Sequence, residues 1–456
     1  MSSKAGSDFR GEYLRRMPAV GKLVEHPELK RLSETCPRVL LVRAIQEILD
    51  ARKAHILSAT DEEQIRDVDL SSEHIVEEIS ALAIEKSRMS LRRAINATGE
   101  VLNDRLGRAP LNEAAQKALQ DVAGRYSTLA VGDRNDHVQS LLSILTEAEA
   151  ALVLNNNAAA AMLILNTIAE GKEVIVSRGQ LIESDGFRLP EIIAKSGAVM
   201  LSVGATNKTH PRDYRDAISE NTGAILKVHK SNYRIAGFSQ DVTIQELAEI
   251  GHEHGIPVID DIGTGCLLDL TQYGLAEEPW ALLSVRKGAD FVCFSGDKLL
   301  SGPQAGIVLG RAEDLSAMRK NPLYRALRVD KLTLAALEAT LRSYLDTDRI
   351  LELNPALRML SRPDADTESM AQSLVESLSA SISHLAVVKI VEKFPSRVIS
   401  IRPTAMSAEE LDKKLRSRAL PIFTILCAEE IFVDLRAVWE DEVDEIARAL
   451  IECCQP

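Results

Sequence analysis

Short apolar runs alternate with helical patterns across the middle of the chain, from about residue 137 to residue 310. Between the runs, apolar residues recur every three to four positions, as in 137–148, 158–169 and 243–254. This alternation is typical of a mostly parallel sheet covered by helices on both faces. We therefore expect an α/β fold whose seven strands are Ala151–Leu154, Glu173–Ser177, Val199–Val203, Ala224–Val228, Pro257–Asp260, Phe291–Phe294 and Gly306–Leu309.

The two flanks have different patterns. Residues 1–90 show helical spacing without strands, at Leu40, Leu41, Ala44, Ile45, Ile48 and Leu49 and again at Ile75, Ile79, Leu82 and Ile84. The last hundred residues mix both periods, with helices expected near 370–383, 408–416 and 442–453, strands near 386–391 and 397–401, and a hairpin within 421–435. We predict a helical N-terminal domain (1–90), a large catalytic domain (91–345) and a small α+β C-terminal domain (346–456).

Composition excludes some functional classes. Of 456 residues, 45% are hydrophobic and 27% charged, and the net charge of −13 argues against a protein that coats nucleic acid non-specifically. Residues 1–60 nevertheless carry eleven Lys or Arg against seven Asp or Glu, a balance of +4. No apolar run is long enough for a membrane span, and the start lacks a signal peptide. The six cysteines have no zinc-ligand spacing, so we expect free thiols in the cytoplasm and no metal site.

Two segments carry candidate chemistry at the ends of predicted strands. In FSGDKLLSGPQAG, Lys298 follows a strand within a Gly-rich turn, where a partly desolvated lysine can form a Schiff base. Ser295, three residues earlier, is placed to reach a phosphate on the same ligand. In PVIDDIGTG, the pair Asp260–Asp261 ends the preceding strand, where a carboxylate suits the nitrogen of a pyridinium ring.

A third segment, VLNNNAAAA, supplies a candidate phosphate site. Its asparagines end a strand and begin an Ala-rich helix, and a helix N-terminus binds anions through free backbone N–H groups. We expect a cofactor phosphate at Asn156 and Asn157, although helix capping alone also explains asparagine there. Helix terminus, carboxylate and lysine, in this order, predict a pyridoxal 5'-phosphate site.

The chain resembles a known family through several strings spread over nearly its whole length. They are LRRMPAVGKLVEHPEL, INATGEVLNDRLGRA, VLNNNAAA, EVIVSRGQLIE, KVHKSNYRIAGF, DDIGTG, FSGDKLLSGPQAG and NPLYRALRVDKLTLAALEATLR. They look like those of the bacterial selenocysteine synthases, the L-seryl-tRNA(Sec) selenium transferases. The resemblance implies an aspartate-aminotransferase-like (fold type I) catalytic domain, a homo-oligomer built from dimers, decamers being known in the family, and selenophosphate as selenium donor.

The same resemblance implies roles for individual residues. Lys298 is the Schiff-base lysine and Asp261 the partner of the pyridine nitrogen, while Arg108, Arg325 and Arg328 surround the anionic selenium donor. Because Arg325 and Arg328 are three apart on an expected helix, we predict that they share a face. His229 and Asn232, past another strand end, are expected to line the cofactor ring, although a core histidine is an alternative for His229.

The implied reaction converts seryl-tRNA(Sec) to selenocysteinyl-tRNA(Sec) through an aminoacrylyl intermediate, with Lys298 as the base for the α-proton. In this family the N-terminal domain contacts the tRNA. Exposed cations there would contact RNA phosphates and give salt-dependent binding, the candidates being Arg15, Arg16, Lys22, Lys30 and Arg31. Because only 4% of residues are aromatic, recognition would depend on RNA shape and backbone.

Residues 126–137 differ from the family pattern, because this stretch is shorter and lacks most of a glycine–arginine element. The difference leaves two other functions open. One is a related pyridoxal-phosphate lyase that acts on a small amino acid or amino sugar. The other is a non-catalytic tRNA-binding paralogue, against which the intact Lys298 and Asp261 count.

Overall fold

The structure is a computed structural model that describes residues 9–66, 68–130, 134–184, 187–276, 278–393 and 396–455. Residues 131–133, inside the short stretch 126–137, therefore lie outside the described residues. Contacts between residues divide the chain into two compact units, 1–93 and 94–456. The C-terminal layer belongs to the same unit as the large sheet, and its folding as a separate domain stays a prediction.

The first unit is helical. Its helices are α1 (Phe9–Arg16), α2 (Val20–Val24), α3 (Pro27–Leu32), α4 (Arg38–Ser58) and α5 (Ser72–Ser87). Helices α4 and α5 bury most of the residues that the periodicity singled out, among them Leu41, Ile45, Ile75 and Ile79. Ile84 is exposed and Ala83 is buried in its place, because position 83 continues the spacing from Ile79.

The second unit contains all the strands among the described residues. In chain order they are β1 (Ile95–Asn96), β2 (Ala150–Leu154), β3 (Glu173–Ser177), β4 (Glu183–Ser184), β5 (Phe187–Arg188), β6 (Val199–Val203), β7 (Thr222–Val228), β8 (Val258–Gly263), β9 (Phe291–Ser295), β10 (Gly306–Gly310), β11 (Ala386–Lys393), β12 (Ser396–Pro403), β13 (Ile422–Phe423), β14 (Ile425–Cys427) and β15 (Glu430–Val433).

The helices of this unit fall between and after the strands. They are α6 (Glu113–Ala123), α7 (Asp136–Thr146), α8 (Asn157–Ala169), α9 (Leu189–Lys195), α10 (Pro211–Arg215), α11 (Ile244–Glu253), α12 (Ala281–Arg286), α13 (Ala312–Lys320), α14 (Pro322–Leu327), α15 (Lys331–Ser343), α16 (Ile350–Leu353), α17 (Pro355–Leu360), α18 (Asp364–Ile382), α19 (Ala408–Ser417) and α20 (Val443–Cys454).

The large sheet has seven strands in the order β2-β10-β9-β8-β7-β3-β6, and all seven are those predicted from the apolar runs. Strands β9, β8, β7, β3 and β6 are parallel neighbours, whereas β10 runs antiparallel to β2 and β9. Separate apolar clusters cover the two faces, one around Phe294 and Leu337 and the other around Leu163 and Phe291. The predicted mostly parallel α/β fold is confirmed.

Strand β8 continues three residues beyond its predicted end, to Gly263. Asp261 therefore lies inside the strand, paired in register with Cys293 of β9, rather than at its end. This position buries Asp261 to 3% exposure. The extension matters for function because it fixes the carboxylate on a rigid element.

The C-terminal layer is a four-stranded antiparallel sheet in the order β11-β12-β15-β14, with α18, α19 and α20 packed in the same core. The predicted hairpin holds for β14 and β15. Strand β13 instead pairs in parallel with β1, so Ile95 and Ala97 are buried in the C-terminal core. The start of the second unit is thus part of this layer, a long-range pairing that apolar spacing cannot indicate.

All six cysteines are free, and only Cys427 is exposed. Among the described residues, no helix is both long and apolar enough to cross a lipid bilayer.

Candidate active site

The site lies where parallel strands β7, β8 and β9 end side by side, which is where ligands bind in sheets of this kind. The turn after β9 is anchored on the segment after β8, because the Leu299 N–H donates to the Thr264 carbonyl over 3.0 Å. Gly265, with φ +73°, packs against the Ser295 carbonyl, and a Cβ there would lie 2.2 Å from that oxygen. The two segments meet closely only because this residue is glycine.

Lys298 follows β9 and lines a cavity of about 870 Å³. Burial lowers the pKa of its amine and the nearby Arg108 lowers it further, whereas Asp261 and Asp297 act in the opposite direction. A lowered pKa raises the fraction of neutral amine, which is the nucleophilic and basic form. The amine is thus prepared for Schiff-base formation and for proton transfer.

Asp261 lies beside Lys298 and interacts with it electrostatically. Its Oδ1 accepts from Asn157 Nδ2 over 2.7 Å and from the Gly263 N–H over 3.1 Å. Burial raises the pKa of Asp261 to about 6, although the hydrogen bond from Asn157 and the charge of Lys298 lower it. A buried carboxylate of this kind gains from a cationic N–H partner, such as a pyridinium nitrogen.

The asparagine side chains at the start of α8 have other partners than the predicted phosphate. Asn156 caps the helix, because its Oδ1 accepts from the Ala159 N–H over 2.9 Å, and Asn157 donates to Asp261. The cap explains asparagine at 156 through helix geometry alone. The backbone N–H groups of the first turn remain the anion-binding element that the sequence offers here, and phosphate contact at 156–157 stays a prediction.

Ser295 is the last residue of β9, 5% exposed, and pairs in register with Gly306 of β10. Gly306 in turn packs against the start of α8, since a Cβ at this position would lie 2.0 Å from the Asn156 carbonyl oxygen. Ser295 is therefore within the sheet next to the helix terminus. Its contact with a cofactor phosphate stays a prediction.

His229 and Asn232 line the same cavity as Lys298. The His229 N–H donates to the Asp261 carbonyl over 2.9 Å, and its Nε2 lies 3.2 Å from Glu278 Oε2. Asn232 is exposed and donates from Nδ2 to the Glu183 carbonyl over 2.7 Å. The structure thus places both residues at the cavity, and it shows His229 on the cavity wall rather than in the core.

Arg108 also lines this cavity, held by the residue that precedes the lysine. Its Nη1 lies 3.2 Å from each carboxylate oxygen of Asp297, and the Ala109 N–H donates to the Asp297 carbonyl over 3.2 Å. Within the described residues Nη1 alone makes the contact, so the pair lacks the two-pronged geometry of a strong Arg–carboxylate pair. Arg108 has φ +63°, a left-handed backbone conformation that is uncommon for residues other than glycine.

The expectation that Arg325 and Arg328 share a helix face is wrong. Helix α14 ends at Leu327, and Arg328 has an extended backbone that forms an isolated antiparallel bridge with Leu154. The N–H of Asn155, the residue after Leu154, donates to the Leu327 carbonyl over 2.8 Å. The residues at the end of α14 therefore pair with the end of β2 and do not continue the helix. Neither arginine is among the residues that line the described cavity around Lys298.

Sequence reasoning missed two residues of the site, Asp297 and Glu278. Asp297 was visible as the neighbour of Lys298, but its contact with Arg108 joins residues 189 positions apart. Glu278 lies in a segment without a motif and is identified only by its position near His229. Both carboxylates pair with basic residues that the sequence did single out.

Pyridoxal phosphate requires an amine, an acidic partner for its ring nitrogen and donors for its phosphate. Lys298, Asp261 and the first turn of α8 supply these groups at one edge of the sheet. Asn157 Oδ1, beside Asp261, is buried without a hydrogen-bond partner among the described residues. An unpartnered polar atom is costly in a protein interior and is typical of a functional site. The residues present therefore fit the cofactor.

Fold and site together define a pyridoxal-phosphate-dependent enzyme built on a mostly parallel α/β sheet. Two family models match the chain, "L-seryl-tRNA selenium transferase" over residues 94–439 and "Selenocysteine synthase N terminal" over residues 14–52. The chain therefore belongs to the L-seryl-tRNA(Sec) selenium transferase family, and it is a pyridoxal-phosphate-dependent transferase.

Relatives with this family name match along nearly their whole length. The protein from Alkaliphilus metalliredigens is 44% identical, covering 97% of this chain and 98% of the relative. The protein from Geobacter sulfurreducens is 40% identical, covering 96% and 98%. Among solved structures, a D-glucosaminate-6-phosphate ammonia-lyase is similar with a TM-score of 0.58 and 20% identity, covering 80% of this chain and 96% of that one. This last likeness concerns the fold alone.

Proposed function

We propose that the protein converts seryl-tRNA(Sec) to selenocysteinyl-tRNA(Sec), with selenophosphate as selenium donor. The observation that carries the proposal is that Lys298 and Arg108 line one cavity, with Asp261 interacting with Lys298, in a chain of this family. The seryl group would lose its α-proton and hydroxyl as water to give an aminoacrylyl-tRNA. The selenium of selenophosphate would then add to the β-carbon while the α-carbon takes up a proton, and water would cleave the P–Se bond to release phosphate. Bound pyridoxal phosphate supplies the electron sink for this elimination.

Each residue has a physical task in this proposal. Lys298, with its lowered pKa, takes the α-proton of the seryl group. Asp261, when ionised, accepts a hydrogen bond from the ring nitrogen and holds the proton there. Arg108 exchanges its single-nitrogen contact with Asp297 for the anionic donor, which a guanidinium binds with two parallel hydrogen bonds. Roles for Arg325 and Arg328 at the donor remain proposals that depend on the resemblance.

The N-terminal unit is proposed to contact the tRNA. Five basic side chains on or beside its first three helices are exposed, namely Arg15, Arg16, Lys22, Lys30 and Arg31. Exposed cations release counterions when they meet phosphates, so the affinity should fall steeply as salt increases. Replacing all five with glutamine should weaken binding and reduce the salt dependence. A homo-oligomer built from dimers stays a prediction, which light scattering of the purified protein checks.

The test is a reaction of the purified protein with seryl-tRNA(Sec) and selenophosphate, followed by identification of the esterified amino acid by mass spectrometry. We expect selenocysteine on the tRNA, and none with Lys298→Ala. A small-substrate lyase would instead act on a free β-hydroxy amino acid or amino sugar without RNA. A tRNA-binding paralogue would bind the RNA and form no product.

A further inference from the structure

Asn157 joins the first turn of α8 to the end of β8. Its Nδ2 lies 2.7 Å from Asp261 Oδ1, and its own Oδ1 is buried without a partner among the described residues. The opposite amide orientation would place two oxygens against each other, so the donor must face the carboxylate. The contact crosses 104 positions of sequence, and it stands where helix capping alone would not require a second asparagine.

The charges around Asp261 act on its ionisation in opposite directions. Lys298, after β9, favours the carboxylate, whereas Asp260 on the same strand opposes it. Cys293, its partner in register on β9, stays a neutral thiol because burial, Asp261 and Asp260 raise its pKa. Burial raises the pKa of Asp261 itself to about 6, so that a single hydrogen bond to the ionised form has a large effect near neutral pH.

We propose that Asn157 is a positioning residue that orients Asp261 and keeps its carboxylate ionised towards the ring nitrogen of the cofactor. The sequence suggested a phosphate contact for this side chain, whereas the geometry points to the other end of the cofactor. The inference depends on the role given to Asp261 in the proposed function. Asn157 thereby connects the helix terminus expected to bind the cofactor phosphate with the carboxylate expected at the ring nitrogen.

The test compares Asn157→Leu, which keeps the approximate size and removes the donor, with Asn156→Ala, which removes the neighbouring helix cap and leaves the Asp261 contact. Asp261→Asn is the reference variant. The dissociation constant of pyridoxal phosphate is measured by fluorescence titration of the cofactor-free protein, and the absorbance of the bound cofactor is followed against pH. Circular dichroism establishes that each variant is folded.

For Asn157→Leu we expect about ten-fold weaker cofactor binding, as for the loss of one hydrogen bond to a charged group. Without this donor the carboxylate of Asp261 protonates more readily, so the pH midpoint of the absorbance should rise by about one pH unit. In Asn156→Ala the midpoint should stay in place. Asn157→Asp should bind the cofactor less well as the pH rises, since a second carboxylate then faces Asp261.

The outcomes separate the role of Asn157 from the role of Asp261. If Asp261→Asn weakens binding and moves the midpoint but Asn157→Leu does neither, the inference is overturned and the role of Asp261 stands. If Asp261→Asn changes neither quantity, the role of Asp261 in the proposed function fails. If Asn156→Ala moves the midpoint as far as Asn157→Leu does, the effect comes from the helix terminus and contradicts a specific role for Asn157.

Discussion

Two groups of side chains surround the candidate site, and they are held in different ways. The pocket floor consists of Lys298, which lines the cavity from the turn after β9, and of Asp261 on β8 and Asn157 at the start of α8, which interact beside it. The pocket rim consists of Arg108, His229 and Asn232, which lie after strands or in loops and face the cavity. Asp261 is 3% exposed, whereas Asn232 is exposed. The difference suggests that the floor determines the chemistry and the rim determines which substrate enters.

The largest effect is expected at the floor, for Lys298→Ala. Removing the amine eliminates both the Schiff base and the base for the α-proton, so turnover should fall by about 10³-fold or more. The measurement is selenocysteinyl-tRNA formation, with the absorbance of the bound cofactor as a second readout. Lys320→Ala, at the end of α13, is a matched control for the loss of a lysine. Turnover within ten-fold of the native protein would show that the chemistry does not require Lys298, and would contradict the difference between the pocket floor and the pocket rim.

The second prediction uses the buried charge of Asp261. Its pKa is about 6 in the folded protein against 3.8 as the ordinary value, so the folded state binds the proton more tightly. Stability therefore falls as the pH rises between these values and stays lower above them. In the cofactor-free protein, Asp261→Asn should be more stable at pH 8 by up to about 3 kcal/mol.

The check is the melting temperature of both cofactor-free proteins at pH 5 and pH 8. The advantage of Asp261→Asn should be larger at pH 8 by about 1 kcal/mol, because native Asp261 is still mostly protonated at pH 5. Activity should fall in the same variant, which would show that the buried charge of Asp261 lowers stability but is needed for function. An advantage that does not depend on pH would contradict the ionisation of a buried carboxylate.

The third prediction concerns the rim, where Arg108→Lys should act on substrate affinity. Lysine keeps the charge but cannot offer two parallel donors to an anion. We expect the KM for the selenium donor to rise about ten-fold, the loss of one charge-assisted hydrogen bond, with a smaller change in kcat. Arg105→Lys is the matched control, since Arg105 lies on the same loop and is exposed. A fall in kcat with unchanged KM would show that Arg108 acts in the chemical step, as the residues of the pocket floor do.

More of the pocket floor than of the pocket rim could be predicted from the sequence. Apolar runs identify the strands, and parallel strands end at one edge, so Asp261 and Lys298 had to meet. The partner of Asn157 could not be predicted, because a sequence indicates a helix start but not where its side chain points. Arg328 does not lie on the expected helix face, because it forms a bridge with Leu154. Strand β1 is part of the C-terminal layer because it pairs with β13. Both depend on contacts between residues far apart in the chain.

The smallest effect is expected for Asn232→Ala at the rim. The side chain is exposed and its contact, 2.7 Å to the Glu183 carbonyl, is open to solvent, so water replaces the lost donor at little cost. Stability should change by no more than about 0.5 kcal/mol and turnover by no more than about three-fold. Turnover and melting temperature of the variant are measured beside those of Arg108→Lys. If Asn232→Ala costs more than Arg108→Lys, the side chain contacts the substrate, and the rim then contributes to catalysis through a neutral donor as well as through charge.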